Sequence, residues 1–197
     1  MTNSETTAES ERRLVRVRFM SSEVLVATEV DPVEHARRRA VGVGPLVSYE
    51  ILTRLWELPA GGRVVLTDPE SERFEDLRRR WPGMVESTDG SWCRLYHPGA
   101  RVVAVFADIG SPSDRVRAAA QFVRFARRYA VGVDLGGAAA GTRRLAERWG
   151  VGSVREGDLT VRTESSPPVR RRPSVWDWLF AEVAYQECWN RSDQAFS

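Results

Sequence analysis

Residues 23–69 read EVLVATEV (23–30), DPVEHARRR (31–39), AVGVG (40–44), PLVSYEILTRLWEL (45–58), PAGG (59–62) and RVVLTDP (63–69). Val24, Val26 and Thr28 alternate with Leu25, Ala27 and Glu29, the pattern of a half-buried strand, and Asp31-Pro32 ends it. Gly42 and Gly44 flank Val43, so the backbone there is free to take positive φ or to approach a ligand closely. Pro45 is suited to the first turn of a following helix, in which Val47, Ile51, Leu55 and Leu58 share one stripe. Pro59 and Gly61-Gly62 stop that helix before the next strand. A helix that follows a glycine loop aims free N–H groups at whatever the loop holds, which favours phosphate.

The run Arg39-Ala40-Val41-Gly42-Val43-Gly44 resembles the Arg/Gln-x-x-Gly-x-Gly loop that holds the coenzyme A pyrophosphate in GNAT-type N-acyltransferases. The elements after it, through VVLTD and the helix carrying Phe74 and Leu77 to Trp81-Pro82-Gly83-Met84, are similar in order, so the resemblance covers residues 22–98. It implies an acyltransferase using acetyl-CoA or another acyl-CoA, held by Arg39, Val41, Gly42, Val43 and Gly44. The residues by themselves also fit a tight turn that happens to contain two glycines.

Composition narrows the chemistry. The 197 residues include 29 Lys+Arg and 27 Asp+Glu, and all of those bases are arginine. A net charge of +2 gives no drive toward nucleic acid, and the absence of lysine removes Schiff-base and P-loop chemistry. Accordingly Gly136–Thr142, which has P-loop glycine spacing, lacks the required lysine and reads as a packed turn. Cys93 and Cys188 lie far apart, and His35 and His97 are the only histidines, so no metal-ligand spacing is visible. No run of apolar residues is long enough for a membrane span. These features suit a reducing cytoplasm.

Along the rest of the chain, MTNSETTAESE (1–11) reads as a disordered tail and residues 12–164 as an α/β domain. RRLVRVRFM (12–20) pairs with the strand at 23–30, and Asp89-Gly90 marks a second hairpin. Asp68 is the expected cap of the helix carrying Phe74 and Leu77. Ser111, Pro112 and Asp114 open a helix expected to run through Phe122 and Phe125 to Tyr129, carrying a line of Arg117, Arg124 and Arg128. A strand is then expected over VGVDLGG (131–137), and Val151–Glu164 reads as a hairpin. His97 is expected as a rim residue held by backbone.

Residues 165–173 form a basic, proline-rich linker. Ser174 and Asp177 then offer a capping box to a helix over 174–197 that carries Trp176, Trp178, Phe180, Tyr185 and Trp189. Glu182, Gln186 and Asn190 form its narrow polar edge. So apolar a helix must be covered, by its own domain or by a partner. The fold expected is therefore α/β or α+β: a mixed sheet covered by helices, with an aromatic-rich C-terminal helix.

Two functions follow. The first is a non-catalytic interaction or accessory protein without a cofactor. It would meet a protein partner, such as one it neutralises, or a second copy of itself, through Trp176, Trp178, Phe180, Tyr185 and Trp189. The alternative is the acyl-CoA-dependent N-acyltransferase, with Arg39–Gly44 as its pyrophosphate loop.

Overall fold

The structure, a computed structural model, describes residues 12–169 and 172–194. The expected tail at 1–11, and Arg170 and Arg171 of the linker, lie outside the described residues.

β1 (Arg12–Phe19) and β2 (Ser22–Val30) form an antiparallel hairpin in which Phe19 faces Ser22. In β2 the residues Ser22, Val24, Val26, Thr28 and Val30 are buried and those between them half-buried, so one face of the strand enters the core. The chain then makes α1 (Pro32–Val41) and α2 (Tyr49–Glu57). A small antiparallel sheet follows, of β3 (Val64–Val65), β4 (Val85–Thr88) and β5 (Ser91–Arg94) in the order β3-β5-β4, with α3 (Asp68–Arg80) inserted between the first two. Phe74 of α3 meets Trp92 of β5 at 6.0 Å between ring centres.

The second half contains β6 (Ala100–Ala107), α4 (Pro112–Ala120), β7 (Arg127–Val131), α5 (Ala140–Trp149), β8 (Gly152–Val154), β9 (Val161–Thr163) and α6 (Val175–Gln194). These strands join the first hairpin in a six-stranded sheet of order β1-β2-β6-β7-β8-β9. Its middle strands β6, β7 and β8 are parallel and its flanking pairs antiparallel, so the sheet is mixed. α4 and α6 pack against the sheet, and Val24, Val26, Val105, Phe122 and Phe180 belong to the shared core. Ala104, Phe106, Tyr129, Val131 and Val154 form a second, smaller cluster. No helix among the described residues is long and apolar enough to cross a membrane.

Four boundaries differ from the sequence expectation, each for a local reason. α2 starts at Tyr49, because the Ser48 hydroxyl accepts from the Ile51 amide; Pro45 and Val47 lie in an extended stretch before it. α3 is capped by Thr67, not Asp68, since the Glu70 carboxylate reaches back to the Thr67 amide at 3.0 Å. α4 ends at Ala120, so Arg124 and Arg128 do not share a helical line with Arg117. The following strand is Arg127–Val131 rather than the stretch after it.

Two buried or half-buried arginines occupy helix ends. Arg94 donates to the Leu55 carbonyl of α2 at 3.2 Å, and Arg128 donates through Nε to the Trp149 carbonyl of α5 at 2.8 Å. Burial lowers the pKa of both guanidinium groups. Each cation is set against the negative end of a helix, which offsets part of that desolvation.

Candidate functional site

α1 begins with Asp31, whose side chain accepts from the amides of Val33 and Glu34 at 2.9 and 3.0 Å. The helical spacing then puts Glu34 and Arg38 on one inward face, and both are buried. Arg38 is completely enclosed. Its Nε donates to Glu34 at 2.8 Å, while Nη1 and Nη2 donate to the two oxygens of Glu182 on α6 at 2.9 and 2.8 Å. Nη2 also donates to the His97 carbonyl. The guanidinium lies 3.8 Å from the ring centre of Tyr96 and 4.8 Å from that of Tyr185.

Glu182 belongs to the narrow polar edge of its helix, and in the structure it is fully buried. It can be so because five donors converge on it. Besides the two from Arg38, the Leu46 amide (3.0 Å), the Tyr96 hydroxyl (2.8 Å) and the Gly99 amide (3.1 Å) point at its oxygens. A buried carboxylate is tolerated only when paired and hydrogen-bonded, and this one is both. Burial on its own would lower the pKa of Arg38, but the hydrogen bonds and charge of Glu182 raise it instead. For Tyr96, burial and then the negative charge of Glu182 hold the phenol well above its usual pKa.

These contacts decide the geometry of the glycine loop. Gly42 adopts φ 68° as the C-cap of α1, and its amide turns back to the Arg38 and Arg39 carbonyls. The Val43 amide also donates to Arg38, at 2.9 Å, and Val43 itself is buried. The next amide aimed at an anion is that of Leu46, and the anion is Glu182. Thus the backbone two residues beyond the Arg39–Gly44 segment meets a carboxylate of the same chain. Arg39 and Val41 are exposed, and nothing stands within 4 Å of a Cβ built at Gly42 or Gly44.

Arg39 stacks over Trp189 of α6 at 4.0 Å, so two residues singled out for different reasons touch each other. The remaining aromatics of α6 divide into two groups. Trp178, Phe180 and Tyr185 are buried within this fold: Phe180 among Phe19, Phe122 and Phe125, and Tyr185 with its hydroxyl 2.9 Å from the His35 ring. Trp176 is 42% exposed and packs 4.8 Å from Tyr49, itself 45% exposed. Tyr49 and Trp56 lie two turns apart on α2, and Trp56 is 40% exposed. Together Tyr49, Trp56 and Trp176 make an open aromatic ledge across α2 and the start of α6. Tyr49 and Trp56 had passed as ordinary helix residues in the sequence; their two-turn spacing was the available signal.

His97 lies beside the buried network, and among the described residues its ring has no hydrogen-bond partner; its backbone is held instead, the amide by Glu34 at 3.3 Å and the carbonyl by Arg38. Among the described residues no three His, Cys, Asp or Glu side chains come together to hold a metal ion. No known protein family matches this chain, and no curated protein or solved structure shows detectable similarity to it.

Proposed function

We propose that this protein is a non-catalytic binding module that contacts another protein through the ledge of Tyr49, Trp56 and Trp176. The observation that carries this reading is the exposure of three large aromatic side chains, each 40–45% open, on two packed helices, with Tyr49 and Trp176 in contact. Soluble surfaces rarely keep such a patch without use, and tyrosine and tryptophan dominate binding energy where proteins meet. The Glu50–Arg54 pair on α2, 2.6 Å long, supplies polar surface on the same helix. A reducing compartment suits Cys93 and Cys188, both buried thiols.

The test is affinity purification of the full chain from its own host cells, beside a Tyr49→Asp/Trp176→Asp variant that melts like the parent. A partner, or a second copy, retained by the parent and lost by the variant is expected. Equal recovery of the same partners by both proteins contradicts the reading.

The second reading, an acyl-CoA-dependent N-acyltransferase using Arg39–Gly44, is favoured by the open space outside Gly42 and Gly44. Against it, the amides of Gly42, Val43 and Leu46 already have acceptors. Calorimetry with acetyl-CoA on the parent and on Gly44→Glu separates the two: binding abolished by the substitution supports the acyltransferase, and no binding at millimolar ligand removes it.

A further inference from the structure

Between the N-terminal half of α6, the start of β6 and Trp56 of α2 lies a groove of about 880 Å³, inside the size range of small-molecule sites. Trp56, Trp178, Phe125, Phe180, Pro173 and Val102 supply its apolar lining. Its charged side chains are already matched. Glu29 pairs with Arg12 at 2.8 Å and with Arg101; Asp31 caps α1. Asp177 takes the Ser174 amide and hydroxyl at 2.7 and 2.5 Å and lies 3.5 Å from Arg124.

Two polar groups of the lining remain open. Among the described residues the half-buried imidazole of His97 has no hydrogen-bond partner, and the enclosed indole N–H of Trp178, a side chain only 2% exposed, has no acceptor. A buried polar group left without a partner costs free energy that a ligand can recover. The imidazole is also held ready. The Glu34 and Arg38 bonds fix the His97 backbone, the Gly99 amide is tied to Glu182, and the Gly99 carbonyl accepts from the Asp31 amide at 3.0 Å.

The electrostatic setting selects among ligands. Burial lowers the pKa of His97; Glu34 and Asp31 pull it up, while Arg94 and Arg37 push it down. The ring is therefore neutral at pH 7, offering one donor and one acceptor. Glu29 with Arg101 and Asp177 with Arg124 pair off, and the Asp31 carboxylate is taken up by the Val33 and Glu34 amides, so a carboxylate ligand finds no cation of the lining without a partner. A hydroxyl suits the site better, because it can donate to the bare nitrogen of a neutral imidazole or accept from its N–H. We propose that this groove is a binding site for an uncharged, hydroxyl-bearing aromatic molecule, with His97 as its polar anchor and the Trp56–Trp178 pair, 6.0 Å between ring centres, as its apolar wall.

The test uses the full chain and three probes of one shape: 1-naphthol, naphthalene and 1-naphthoate, titrated by calorimetry at pH 7.5. Saturable one-to-one binding of 1-naphthol is expected, about tenfold or more tighter than either of the others, as one well-placed hydrogen bond provides. His97→Ala should weaken 1-naphthol about tenfold and leave naphthalene unchanged, the difference being that one bond. Its melting temperature should match the parent's, because the ring makes no bond in the free protein. The His97 proton resonances should titrate at lower pH in the complex than in the free chain. Absence of saturable 1-naphthol binding overturns the proposal, as does equal binding of 1-naphthol and naphthalene, or preference for 1-naphthoate. Trp56 belongs to both the groove and the protein-binding ledge, but the two are separable: Tyr49→Asp/Trp176→Asp should bind 1-naphthol as the parent does, since neither residue lines the groove.

Discussion

Gly99 lies flat against the ring of Tyr185: a Cβ built on the glycine would stand 2.5 Å from Cε1 of that ring. The ring has little room to retreat, because its hydroxyl meets His35 at 2.9 Å and its face lies toward Arg38. The glycine is therefore required by contact between a loop and a helix.

Gly99→Ala should accordingly destabilise the protein by about 1–3 kcal/mol, the usual cost of overpacking a filled core. At this chain length that lowers the melting temperature by roughly 2–4 °C per kcal/mol. Calorimetric melting of parent and variant gives the answer; an unchanged midpoint would mean the loop slides freely on α6.

Trp176 and Trp178 sit two residues apart on α6 yet should respond oppositely to truncation. Trp178 is buried against Tyr96 and Trp56, so Trp178→Ala should cost about 3–5 kcal/mol. Trp176 is largely open, and Trp176→Ala should cost about 1 kcal/mol or less. Urea unfolding of both variants checks the contrast. Equal losses would contradict the division of this helix into a core face and an open ledge.

The buried groups also set a pH window. Burial alone would raise the pKa of Glu34, but hydrogen bonds from Arg37 and Arg38 outweigh it and the net shift is downward from 4.5. Its stabilisation is thus complete above that value and lost as pH falls through the lower, folded-state pKa. His97 is lowered from 6.5 by burial, so its contribution begins to fade as pH drops below 6.5. Tyr96 and Tyr185 are raised from 10.0, chiefly by burial, and their stabilisation is complete below that pH and lost as pH rises through their folded-state values. Urea midpoints measured across pH should form a plateau between about 6.5 and 10 with losses on both sides. A midpoint that rises steadily from pH 7 to pH 11 would contradict the assignment of neutral, buried phenols.

Much of the fold was legible because it is written locally. The Ser111–Asp114 and Ser174–Asp177 boxes start helices where their side chains say they do, and Asp89-Gly90 turns its hairpin. The candidate site was not legible, because its partners are far apart in sequence. Glu182 followed at four-residue steps by Gln186 and Asn190 gives the same polar edge whether that edge meets water or Arg38, a residue 144 positions away. Gly42 likewise reads as a residue that needs positive φ, and capping α1 and approaching a ligand both satisfy that need. The ledge was obscured for a different reason: Tyr49 and Trp56 belong to a helix whose other face is core, so exposure had no separate mark in the pattern.

The central claim is that the α1–α2 loop is closed by the chain's own ion pair, and a double-mutant cycle on Arg38 and Glu182 tests it most directly. Arg38→Met and Glu182→Leu should each cost about 3–5 kcal/mol, since the first leaves the Glu182 carboxylate buried without its cation and the second strips Arg38 of both bonds to Glu182, leaving it the Glu34 carboxylate. The double variant should lose about as much as one single variant, giving a coupling energy of about 3–5 kcal/mol in equilibrium urea unfolding. Losses that add to within about 0.5 kcal/mol would show two independent residues and contradict the account.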